Sequence, residues 1–226
     1  MKKLLILLLA LPTLVSAEIV MGPPLSMMMT SGYVYSSAAA TLSQDVLREE
    51  HDKSRERVAE RRPVSLDVRV SAREARRVAQ DLAASFPASH RDDAAKMYET
   101  LFKTYEDAYP RTISGALAAL LAGSYAAYHN AAVPDAHSLA VLEQFDRAIR
   151  ADPTALHALR EDDKNVAYTQ MIMLGMQLMA SAMKNENGGG ADEISRQREA
   201  GQRNLEDILS VPAGQVRIGR KGLAVR

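Results

Sequence analysis

TISGALAALLAGSYAAYHN, residues 112–130, decides the fold. Within it Ile113, Ala116, Leu117, Leu120, Ser124 and Tyr128 recur at spacings of three and four, which places them along one face of an α-helix. Its many alanines, with Gly115 and Gly123, let a neighbouring helix approach closely. The stretch therefore reads as the central and most buried element of a helical bundle.

Working towards the N-terminus, a helix from about Ser89 to Pro110 places Met97, Leu101, Tyr105 and Ala108 together, with Tyr98 and Phe102 beside them. Before it, Ser71-Ala72-Arg73-Glu74 has the form of a capping box, in which the serine accepts from a backbone amide and the glutamate reaches back. Val78, Leu82 and Phe86 form that helix's inner stripe, and Pro87 stops it. Upstream again, Val64-Ser65-Leu66-Asp67-Val68-Arg69-Val70 carries apolar residues at every second position, as a strand with one buried face does. One strand needs a partner, so the segment either pairs with another extended stretch, such as the C-terminal tail, or serves as an extended lead-in.

Towards the C-terminus, a fourth helix from about Asp135 to Arg150 turns Leu139, Leu142, Phe145 and Ile149 inward. Asp152-Pro153 separates it from a short turn of helix through Leu159. The fifth long helix, about Asp162 to Asn185, carries Val166, Met173, Met176, Leu178 and Met183, and Asn187-Gly188-Gly189-Gly190 ends it. A sixth, about Ala191 to Leu209, is charged outside, with Ile194, Leu205, Ile208 and Leu209 facing in. The tail after Val211 holds Arg217, Arg220, Lys221 and Arg226 and no acid; Val216, Ile218, Leu223 and Val225 alternate with them, and Gly219 and Gly222 sit near a turn. No repeat of constant period links the helices, which argues against a solenoid.

The beginning of the chain is of another kind. Lys2 and Lys3 precede the apolar run Leu4 to Leu11, Pro12 breaks it, and Val15-Ser16-Ala17 offers small residues to a signal peptidase. About a dozen apolar residues fall short of the roughly 20 that span a bilayer, so cleavage near Ala17 is expected rather than a retained anchor. Glu18 to Leu42 is apolar without helical period and reads as an extended arm; from Ser43 to Arg62 twelve residues are charged, six of each sign, as in a solvated helix or linker. The expected organisation is a signal peptide at 1–17, an extended arm at 18–42, a charged linker and short extended segment at 43–70, a helical domain at 71–210 and a basic tail at 211–226.

Zero cysteines remove disulfides, thiolate metal sites, thiol catalysis and lipid attachment at the processing site. Without Lys2 and Lys3, 26 basic residues face 28 acidic ones, a balance that gives no electrostatic case for nucleic acid as a main partner. With no tryptophan and three phenylalanines, the core must be built from Leu, Ala, Met, Val, Ile and Tyr, a helix-forming palette.

Candidate chemistry is sparse. Ser181 and Lys184 have the serine-x-x-lysine spacing of penicillin-recognising enzymes, but the serine lies at the end of a helix and no companion motif follows. Met21 and Met27 to Met29, with Met171, Met173, Met176, Met179 and Met183, offer thioethers to Cu(I); methionine is also a flexible core filler, and the helical set coincides with the apolar stripe. His51, His90, His129, His137 and His157 never stand three or four apart on one helix, which argues against zincin and di-iron sites. Asp92-Asp93 and Asp162-Asp163 sit at helix starts, where carboxylates cap free amides. No catalytic residues, cofactor site or metal site are assigned.

The order of a signal peptide, four helices and then Asp162-Asp163-Lys164-Asn165-Val166-Ala167-Tyr168 opening an apolar helix resembles a group of exported, all-helical bacterial proteins of unknown function. The resemblance implies the layout of most of the mature chain and no activity or site residues. The expected fold is a single-domain, all-α bundle of five to six helices with an extended arm and tail. The expected function is a binding or accessory protein of the cell envelope, periplasmic or secreted. Its partner is expected to be an envelope protein, reached without a transmembrane segment after cleavage and with weak membrane-surface contact by the tail. Two alternatives stay open. One is a hydrolase or metal-dependent enzyme assembled only by the fold from residues among His129, His137, Glu143, Asp146, Tyr125 and Tyr128; the other is a methionine-based copper protein.

Overall fold

A computed structural model describes residues 65–226 except 158 and 187. The signal peptide, the arm, the charged linker, His51, Met21 and Met27 to Met29 lie outside the described residues.

Six long helices and one short turn of helix make the body: α1 (Ala72–Ala83), α2 (Arg91–Ala108), α3 (Ile113–His129), α4 (Asp135–Ala151), α5 (Thr154–His157), α6 (Glu161–Glu186) and α7 (Ala191–Leu209). A two-stranded hairpin, β1 (Val216–Gly219) and β2 (Gly222–Val225), closes the chain. Among the described residues the fold is thus all-α apart from that small sheet. None of the described helices is long and apolar enough to cross a membrane.

Local chemistry starts and stops these helices where the sequence signals stand. The capping box at α1 forms in full: Glu74 N donates to Ser71 Oγ at 3.2 Å, and Ser71 N donates to Glu74 Oε2 at 2.7 Å. Hydrogen bonding from Ser71, through its side chain first and then its backbone amide, holds the exposed Glu74 carboxyl below the usual range. Thr112 caps α3, accepting from Gly115 N at 3.1 Å, and Asn130 ends it in the left-handed conformation.

α3 is the most buried helix, enclosed by α4, α6 and α7, while α6 also packs on α1 and α2. The α3–α6 crossing is so close that a Cβ added at Gly123 would lie 2.7 Å from the carbonyl carbon of Gly175. One added at Gly175 would lie 2.7 Å from the amide nitrogen of Leu120. Backbone fills this contact, and no side chain fits there.

Three sequence expectations change. Phe86 is buried but lies beyond the end of α1, which stops at Ala83 before Pro87 is reached. In α2 the aromatic rings set the buried arc: Tyr98, Leu101, Phe102 and Tyr105 are buried, Met97 is half-buried and Ala108 is exposed, because rings bring more apolar area to the core than Met97 or Ala108 do. In α4, Val141, Phe145, Ala148 and Ile149 face the core and Gln144 faces the hairpin, so Leu139 is turned outward and is 42% exposed.

The extended segment and the tail do not pair with each other. Asp67 bridges Thr112; Val68 N donates to Arg111 O at 2.9 Å, and Ile113 N donates to Leu66 O at 3.0 Å. The alternation is nonetheless physical, with Leu66 and Val68 buried and Ser65, Asp67 and Arg69 exposed. The tail pairs with itself, Val216 opposite Val225 and Gly219 opposite Gly222, around a two-residue turn at Arg220-Lys221. Gln144 of α4 completes its outer edge as a strand would: its Nε2 donates to Leu223 O at 3.1 Å, and Leu223 N donates to its Oε1 at 2.7 Å.

Candidate functional site

Where α2 ends and α4 begins, the bundle leaves an apolar cleft. Gly115, Ala118, Ala119 and Ala122 of α3 form its floor, and their small side chains are what keep it open. Leu139 and Leu142 of α4 and Met176 and Met179 of α6 are its walls. Its polar lining comes from Tyr105, Tyr109, Asp135 and Ser138. The space open to the centre of a water-sized group is about 30 Å³, enough for a small group rather than a whole large ligand.

Tyr105 is the anomaly in this cleft. Only 3% of it is exposed, its ring stacks on Tyr109 at 5.0 Å, and its hydroxyl has no hydrogen-bond partner among the described residues. An unpaired buried hydroxyl costs about 1–3 kcal/mol, so a partner that supplies an acceptor recovers that cost on binding. Burial, then the neighbouring Tyr109, pushes the Tyr105 pKa up, which keeps the group a neutral donor. Burial, then the Asp135 carboxylate, likewise raises Tyr109.

Behind the cleft, Glu106 holds α2 to two other elements. Arg111 reaches it at 3.1 Å, and the hydroxyl of the fully buried Tyr168 donates to it at 3.4 Å. Burial raises the Glu106 pKa more than Arg111 lowers it. Because Arg111 also pairs with the extended segment through its carbonyl, this ion pair ties the strand-like lead-in to α2 and α6.

The residues singled out in the sequence fall elsewhere. Tyr125, Tyr128 and His129 do meet, His129 lying 4.2 Å from the ring of Tyr125 and 4.9 Å from that of Tyr128, but on the last turn of α3 rather than in the cleft. Asp146 accepts from Ser114 at 3.1 Å and from Arg150 at 2.8 Å, which accounts for it as a clamp between α3 and α4. Glu143 is exposed and His137 half-exposed on α4. Ser181 is buried while Lys184 is exposed, so the two share no opening. Met171, Met173 and Met176 are core residues, with Met176 and Met179 also reaching the cleft. Among the described residues no three His, Cys, Asp or Glu side chains gather to hold a metal. Sequence reasoning took Tyr105 for plain core; the signal it held was the Tyr105–Tyr109 spacing of four, which stacks two phenols where α2 runs out.

Taken together, fold and cleft define a small all-α bundle with a C-terminal hairpin. By its sequence the chain belongs to the family of unknown function DUF6683, whose pattern matches residues 3–226. No curated protein and no solved structure matches it significantly.

Proposed function

We propose that this chain is an exported binding or accessory protein of the bacterial cell envelope, periplasmic or secreted once residues 1–17 are removed. It acts by holding a largely apolar group of an envelope protein, one that carries a hydrogen-bond acceptor, in the Tyr105 cleft. The observation that carries the reading is the buried Tyr105 hydroxyl, unpaired among the described residues in a mainly apolar cleft whose rim displays the exposed Leu139. A pocket of mostly apolar walls with a few polar groups is the usual design of a recognition site. Export is supported by the order of lysines, apolar run and small residues at positions 2 to 17.

Capture from envelope extracts tests the reading. The mature chain should begin at Glu18 and retain a specific partner, and Leu139→Asp should lose that partner without unfolding. Failure to retain any specific partner, or equal retention by the variant, would count against it.

A second reading rests on Met176 and Met179 lining the same cleft, where two thioethers could hold Cu(I). It predicts stoichiometric Cu(I) binding that is lost when both become leucine.

A further inference from the structure

The last turn of α3, the middle of α7 and the C-terminal hairpin bring three basic side chains together, and the carboxylate of Glu206 on α7 holds the approach to the hairpin, accepting from Ala213 N at 3.2 Å. His129 lies between the rings of Tyr125 and Tyr128. From α7, Arg198 donates its Nε to the Tyr128 carbonyl at 3.1 Å. From β1, Arg217 donates NH1 to the carbonyls of Gly214 at 2.9 Å and Val216 at 2.7 Å. The hairpin approaches the same spot, since a Cβ at Gly214 would stand 3.8 Å from the Tyr128 hydroxyl.

Each guanidinium is therefore oriented by backbone carbonyls through part of its donor set, leaving further N–H groups for a ligand. Capping the end of α3 explains Nε of Arg198 but not its remaining donors. Arg76, Arg111, Arg150, Arg196 and Arg203 each lie within 4 Å of a carboxylate. Among the described residues neither Arg198 nor Arg217 has such a partner. No acidic residue follows Asp207 in the chain, so the hairpin brings charge of one sign only.

We infer that His129, Arg198 and Arg217 form a binding site for a phosphate-type oxyanion, either the phosphate of a lipid headgroup or a free phosphate ester. Planar guanidinium forks match phosphate oxygens, and the imidazole supplies another N–H donor from the opposite element. Burial, then Arg217 and Arg198, lowers the His129 pKa, and no carboxylate opposes them. A bound anion reverses that repulsion, so occupancy must raise the His129 pKa and binding must tighten as pH falls.

The test follows the His129 imidazole by NMR in the full chain. It is titrated with inorganic phosphate and, separately, with vesicles of phosphatidylcholine alone or mixed with phosphatidylglycerol. The expected result is a saturable rise of about one unit in its pKa, equivalent to tenfold tighter binding to the protonated form. Arg217→Gln should weaken that binding about tenfold, and Arg150→Gln, in an ion pair on α4, should leave it unchanged. Arg217 is exposed on β1 between the inward Val216 and Ile218, so its replacement spares the hairpin core, and an unchanged amide spectrum verifies this. A response to inorganic phosphate supports a free phosphate ester; a response only to vesicles containing phosphatidylglycerol supports a headgroup. If neither moves His129, or if the shift persists undiminished in Arg217→Gln, the site does not exist.

Discussion

Against α6, the central helix α3 packs backbone to backbone through Gly123 and Gly175. Around α7, buried polar contacts join the buried Leu205, Ile208 and Leu209 and a close approach of Gly201 to the α3 backbone at Tyr128. Asn185 of α6 donates to Gln197 at 2.6 Å, Gln197 donates to Glu193 at 3.0 Å, and Arg196 closes the row on Glu193 at 2.8 Å. Asn204 of α7 reaches Ser124 of α3 at 3.4 Å. The first interface gains stability from proximity and tolerates no added atom. In the second, the polar row exchanges hydration for hydrogen bonds of modest net value, and its worth lies in fixing which face of α7 turns inward.

Breaking the two interfaces should therefore give different costs. Gly123→Val should be the most damaging change, losing about 4 kcal/mol or more and in practice preventing folding, because the new atoms meet the backbone of Gly175. Soluble yield and the thermal unfolding midpoint check it. Gln197→Leu should cost about 1–3 kcal/mol by removing the acceptor of the Asn185 amide and leaving Glu193 with Arg196 alone, measured by urea unfolding. A loss as large as that of Gly123→Val would mean that the polar row, not the glycine crossing, carries the fold. Smaller still, Ser71→Ala should cost about 1 kcal/mol by deleting the cap of α1, far from both interfaces.

A pH series sharpens the comparison at the cleft. The raised Glu106 pKa means that its favourable contribution is full below the ordinary value of 4.5 and is lost as pH rises through the higher folded-state value. Glu106→Gln should flatten that part of the stability curve, seen as urea midpoints that vary less with pH; an unchanged slope would assign the loss to other groups.

The fold was legible where periodicity and capping agree. Residues 112–130 announced the buried helix, Ser71 and Glu74 formed the cap their spacing requires, and Gly219 and Gly222 marked a turn, though not the self-paired hairpin around it. Helix faces were less legible at the edges, because one stripe of apolar residues in α4 serves two neighbours: Phe145 and Ile149 go to the core while Leu139 is left at the cleft rim. Pairing partners were not legible at all. Alternation in 65–70 shows that a segment is extended, but nothing in it distinguishes the tail from the loop at Arg111 to Ile113. The cleft was hidden for a related reason, since it is defined by what small residues on α3 fail to fill.

The account rests most on the unpaired hydroxyl of Tyr105, and native mass spectrometry of the mature chain and its Tyr105→Phe variant, both isolated from the same envelope, tests it directly. The account predicts that the wild-type chain carries a bound partner which the variant, folded and soluble, releases. Equal retention by both chains would contradict it.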